Sequence, residues 1–229
     1  METDDYSLWT AGGTLLLIAP QVPPAQRQAV LDSLLYAQLL ANKVVGSRFT
    51  LYPSWYARYR QVLSERGWIT TQSFYDTQSA NGCSLIAPIQ PVRLWLDSQF
   101  PMADNLIEYG LATLKKTQNN LDNFRHFTFE GHESGTRVAL EVGLVHPGPV
   151  INLCSIALQT SEQVAHVSIE GPLLAKALQS DVVVKGLSAQ LDNQQFEPQR
   201  GQLRALIERK QQEQCYLSNL GRVQGGNHE

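Results

Sequence analysis

Charge is what this sequence has least of. Acidic and basic residues make up 17% of its 229 residues, where a globular chain ordinarily carries about 25%. With 43% apolar residues the chain can still bury a core, which excludes a disordered polyelectrolyte. A formal net charge of −3 and a pI near 6.0 leave no basic field. The densest basic cluster, Arg58, Arg60 and Arg66, is offset in part by Glu65. Phosphate-backbone binding draws on an excess of Lys and Arg, so nucleic acid is not an expected partner.

Cysteine is scarce as well. Cys83, Cys154 and Cys215 are odd in number and far apart, which excludes a disulfide scaffold and a zinc site built on close pairs; three reduced thiols are expected. Long hydrophobic runs are missing. Leu15-Leu16-Leu17-Ile18-Ala19 stops at Pro20, and the acidic start Met1-Glu2-Thr3-Asp4-Asp5 is unlike the basic start of a signal peptide. The expectation is a cytoplasmic chain with no membrane partner.

Catalytic signatures are absent too. There is no Gly-x-Ser-x-Gly elbow; Ser134-Gly135 is the nearest hydroxyl–glycine pair and reads as a turn. Ala11-Gly12-Gly13-Thr14 precedes a strand-like run, the reverse of the strand–glycine–helix order that aims amides at phosphate. No cofactor is implied. The metal-ligating residue types that come closest together are His126, Glu130 and His132. On a regular strand the two histidines would stand about 20 Å apart, and the expected cross-strand neighbour Arg137 disfavours a cation, so no metal site is assigned. The His126–Glu133 segment and the turn His146-Pro147-Gly148-Pro149 resemble, in outline, a cupin's His-rich strand and Pro-x-Gly turn. The histidine pair at i, i+2 that a cupin needs is missing, and no cupin site is carried over.

What is present is periodicity. Pro23-Pro24 opens a helix over 25–45, ended by Gly46, with Val30, Leu34, Ala37, Ala41 and Val44 in one stripe and Leu31, Leu35 and Leu39 widening it. Pro53 opens a second, 54–66, whose Trp55, Tyr59, Val62 and Leu63 share a face. A strand over 68–75, a turn at Asn81-Gly82, a short apolar stretch over 83–87, an ambiguous segment over 88–100 and a helix from Pro101 to Lys116 follow.

The second half reads as strands. A hairpin of 124–133 and 136–145 about Ser134-Gly135 pairs Gly131 with Val138, Phe129 with Leu140 and Phe127 with Val142, leaving Glu130, His132, Arg137 and Glu141 on the exposed face. Residues 150–159 are apolar on both faces and predict a central strand. Strands over 164–170 and 181–191, a short helix over 173–179, a helix over 199–217 and a flexible tail over 221–229 complete the chain.

The fold class expected is α+β, one domain over 1–220 with helices packed on a largely antiparallel sheet. The sequence leans away from an enzyme. Its most direct reading is a non-enzymatic binding or assembly protein whose partner is a protein, a small ligand or a second copy of itself. Two others stand beside it: an enzyme with a pocket between the helical layer and the sheet, and a membrane-active, toxin-like protein whose helices leave the sheet. Against the last, the helix around Leu31 lacks the Lys/Arg-rich polar face of interfacial helices.

Overall fold

The computed structural model describes residues 5–79, 85–168 and 170–224; the Asn81-Gly82 turn and Cys83 lie outside them. The first strands, β1 (Asp5–Ala11) and β2 (Thr14–Ile18), form a hairpin about Gly12, whose φ of 53° suits glycine. Two helices follow, α1 (Pro24–Val45) and α2 (Tyr52–Glu65), then the strand β3 (Trp68–Gln78). A two-residue strand β4 (Leu85–Ile86) leads into α3 (Gln90–Gln99) and α4 (Ala103–Lys115). After α5 (Gln118–Thr128) come β5 (Phe129–His132), β6 (Gly135–His146) and β7 (Val150–Thr160). The chain ends with β8 (Leu173–Leu174), β9 (Val182–Leu191), α6 (Asn193–Glu213) and β10 (Leu217–Gln224).

The main sheet runs β10-β1-β2-β6-β7-β9-β3, with β5 added at the end of β6; β4 and β8 make a separate ribbon. Its neighbours are antiparallel except β2 and β6, which are parallel. The result is helices with a large mixed sheet, mostly antiparallel. As the apolar pattern of residues 150–159 predicts, β7 lies inside the sheet, and Ile151, Leu153, Cys154 and Ile156 are buried whichever face they point to. Helices cover both faces. On one, Gln38 of α1 reaches Thr14 and Tyr59 of α2 reaches Glu141. On the other, Trp95 of α3 packs against Gly186 and Gly110 of α4 lies against Leu8 and Leu17.

Several expectations need correction. The strand expected over 124–133 is helical to Thr128, because Leu121, Phe124 and Thr128 repeat at steps of three and four and turn inward together. The hairpin is therefore shorter and its register differs by two: Phe129 opposes Val138 and Glu130 opposes Arg137. Parity survives, so Phe129, Val138, Leu140 and Val142 are buried. Phe127 is on α5, and Glu141 is buried rather than exposed. Residues 164–168 form no strand: Arg125 occupies the carbonyls of Val164 and Val167 at 2.8 and 2.7 Å, so a side chain takes acceptors that a ladder would need. The helix expected over 173–179 is β8 followed by a 3₁₀ turn, Ala175–Ala177. The last helix starts earlier, capped by Asp192, whose carboxylate accepts from the amides of Gln194 and Gln195. Residues 221–224, expected in a tail, belong to β10, which pairs with β1.

Candidate functional site

The interface between the α1–α2 layer and the sheet is apolar except along one seam. Strand alternation turns Glu141 of β6 toward α2, and the ladder places Thr14 of β2 and Ser155 of β7 beside it. Thr14 Oγ1 and Tyr59 Oη each donate to Glu141 Oε1 at 2.9 Å. Gln38, buried in the middle of α1, donates through Nε2 to Thr14 Oγ1 and to the Ala11 carbonyl, both at 2.9 Å, and its Oε1 accepts from the Gly13 amide at 3.1 Å. These bonds link α1, α2, the β1–β2 turn and β6.

A carboxylate in such surroundings loses its hydration. Burial pushes the Glu141 carboxyl up to about 7, although the bonds from Thr14 and Tyr59 and the charge of Arg48 act to lower it. Burial likewise raises the Tyr52, Tyr56 and Tyr59 phenols far above their ordinary range, and the negative charge of Glu141 adds to this. All three are therefore neutral. Their rings and that of Trp55 form a run along α2, with Trp55 stacked on Tyr59 at 5.3 Å between centroids and 12° between planes. Trp55 Nε1 donates to Asn42 Oδ1 at 2.6 Å, which fixes α2 to the end of α1.

Arg48, in the loop between α1 and α2, closes the outer end of the seam. Its Nη1 donates weakly to Gln38 Oε1 at 3.4 Å, and its guanidinium lies over the rings of Phe49 and Trp55 at 5.3 and 5.8 Å. It packs flush on Gly13, where a Cβ would come within 2.2 Å of Nη2. On the inner side, beside Glu141 and Ser155, the free space is about 10 Å³, roughly enough for one water. On the outer side a cavity of about 390 Å³ opens between α1, the α1–α2 loop and Tyr216. The carboxyl can therefore exchange a proton near neutral pH but has no room for a substrate beside it.

The residues singled out in the sequence lie elsewhere and do not converge. His126 is exposed on α5, edge-on to Phe127. Glu130 is paired with Arg137 at 3.1 Å, and His132 Nδ1 meets Ser134 Oγ at 3.0 Å. Among the described residues no three of His, Cys, Asp and Glu gather closely enough to hold a metal. Cys154 is buried and Cys215 exposed, both free; burial holds the Cys154 thiol well above its usual range. Glu141, Gln38 and Arg48 were missed. The signal for Glu141 was local: a lone acid flanked at i±2 by Ala139 and Gly143, on a strand whose neighbour is apolar on both faces.

No protein-family model and no curated protein matches the chain. Solved structures similar to it include these two. One is a delta-endotoxin, 10% identical over 78% of this chain and 80% of that one, with a TM-score of 0.44. The other is the activated Cyt2Ba monomer from Bacillus thuringiensis subsp. israelensis, 12% identical over 80% of this chain and 100% of that one, with a TM-score of 0.41. The expectation of a non-enzymatic binding or assembly protein is withdrawn. That expectation had rested mainly on missing motifs.

Proposed function

We propose that the protein is membrane-active, and that its sheet enters a bilayer once the α3–α4 hairpin swings away. The observation that carries this is the length of four neighbouring antiparallel strands, with apolar rows beneath a helical hairpin. In the order β6-β7-β9-β3 they are 12, 11, 10 and 11 residues long, and about 9–11 residues suffice for a strand to cross a bilayer. On the face under α3 and α4, the rows Val138–Leu158, Leu140–Ile156–Val184 and Val142–Cys154–Gly186 are apolar across β6, β7 and β9. On the opposite face one polar row, Glu141–Ser155–Lys185, lies between the apolar rows Ala139–Ala157–Val183 and Gly143–Leu153–Leu187. The rows uncovered when α3 and α4 leave are the face that can meet lipid.

The covering hairpin has the features of a first point of contact. Leu94, Met102 and Tyr109 are large apolar side chains left exposed on it. Met102, at its tip, has a φ of 77° and is the one non-glycine residue at positive φ among those described, so the tip stores strain. Among the described residues no helix is long and apolar enough to cross a membrane; the sheet is the element of suitable length.

Dye release from vesicles of phosphatidylcholine, with and without phosphatidylglycerol, tests the proposal. The protein should release dye. Leu94→Glu with Met102→Glu should reduce release at least about tenfold without lowering the melting temperature. A cysteine pair, Gly110→Cys with Leu17→Cys, should be inactive when oxidised and recover with dithiothreitol. Intact vesicles of both compositions at micromolar wild-type protein would rule the proposal out.

A further inference from the structure

We infer that the cavity beside Arg48 is a binding site for a small organic monoanion, an aryl carboxylate whose carboxylate meets the guanidinium and whose ring lies along the cavity's apolar wall. The cavity, about 390 Å³, falls in the size range of small-molecule sites, about 300–1,000 Å³. At its floor Arg48 forms no ion pair among the described residues. Its one hydrogen bond, to Gln38, is long. Of the two nearby acids, Glu130, in the cavity wall, is paired with Arg137, and Glu141, behind the floor, accepts from Thr14 and Tyr59 and acts on Arg48 by charge without an ion-pair contact. A guanidinium is a planar fork of donors that fits a carboxylate in a bidentate manner, so one that makes no ion pair at the floor of a cavity favours that ligand over a neutral one.

The walls select the rest of the ligand. Phe49, Leu35 and Leu39 line one side, and Phe127 and Tyr216, tilted 34° to each other at 5.3 Å, line the other. These surfaces gain by burying a flat apolar body, which inorganic phosphate lacks. Three elements distant in sequence, the α1–α2 loop, the end of α5 and the segment before β10, line it together, so a ligand would hold them to one another. This site is independent of the membrane reading: it lies by α1 and α2, away from α3 and α4.

Isothermal titration calorimetry with 2-naphthoate on the wild-type chain tests this, with 2-naphthalenemethanol as the uncharged isostere and inorganic phosphate as the anion without a body. Naphthoate should bind at one equivalent, at least about tenfold tighter than either control. Arg48→Gln should abolish that preference, Arg48→Lys should restore part of it, and Leu39→Trp should block binding by filling the cavity with Arg48 in place. If Arg48→Gln does not fold, Gly13→Ala, which pushes the guanidinium aside, provides the same comparison. Absence of naphthoate binding, equal binding of the alcohol, equal binding of phosphate, or an unchanged Kd in Leu39→Trp would each overturn the inference.

Discussion

The phenol of Tyr59 donates to Glu141 Oε1 at 2.9 Å across the α2–sheet interface, joining residues 82 positions apart in the chain. Glu141 is 7% exposed and Tyr59 1%, so this bond and its neighbours are sealed from water. A buried acid held in this way makes the stability of the α1–α2 layer depend on pH, and the direction follows from its titration.

In the fold the Glu141 carboxyl titrates at about 7, against an ordinary value of 4.5. The folded chain thus binds a proton that the unfolded chain has released between these values, and stability falls as pH rises through that window. The loss is on the order of 3 kcal/mol when complete. Glu141→Gln, which keeps an acceptor for Thr14 and Tyr59, should flatten this part of the profile. Urea denaturation at pH 5 and pH 8 on both proteins measures it; an equal slope in the two would show that Glu141 does not carry the dependence.

Gly135 and Gly148 both have positive φ, 141° and 95°, but only one is crowded. A Cβ on Gly135 would come within 2.0 Å of the Thr160 carbonyl, whereas nothing lies within 4 Å of one on Gly148. Gly148→Ala should cost about 1–2 kcal/mol for the backbone alone. Gly135→Ala must also displace β7 and should cost clearly more, since backbone cannot yield as a side chain does. Comparable midpoints for the two variants would contradict the crowding.

Ile156, 1% exposed in the middle of β7, should cost about 2–5 kcal/mol when cut to alanine. Glu130, whose side chain is 37% exposed beside Arg137, should cost under about 1 kcal/mol. Chemical denaturation of the two variants gives the order; the reverse order would mean that the Glu130–Arg137 pair anchors the β5–β6 hairpin.

Met102→Gly should raise stability by about 1 kcal/mol, because glycine adopts the φ of 77° without the Cβ clash that methionine bears. Thermal unfolding is the measurement. A lower melting temperature would show that the exposed Met102 side chain packs more strongly than its backbone is strained.

The helices α1 and α2 and the inner strand β7 were legible because each carries its signal within one element: stripes at steps of three and four, or an apolar pattern on both faces. The stretch 124–128 was misread because Phe127 and Phe129 fit alternation, and only the packing of Phe124 and Thr128 decides between strand and helix. Glu141 was assigned to the right face of β6 and given the wrong environment. Alternation tells which residues share a face, but not whether a helix from another part of the chain covers it. The seam needs Gln38, Tyr59 and Thr14, none of which is unusual where it stands in the sequence. The same holds for β10, whose Gly221 and polar residues read as a tail until β1 is available to pair with.

That last pairing sets a timetable for synthesis. β1 is synthesised well before its outer partner β10, with Asp5 opposite Gln224. At about 5–20 residues per second, β1 waits roughly 10–40 s with one edge unpaired. Over that interval the nascent chain presents an open strand edge to its neighbours on the same messenger. The hazard of this fold is therefore greatest before β10 is made, and a slower-translated message would lengthen it.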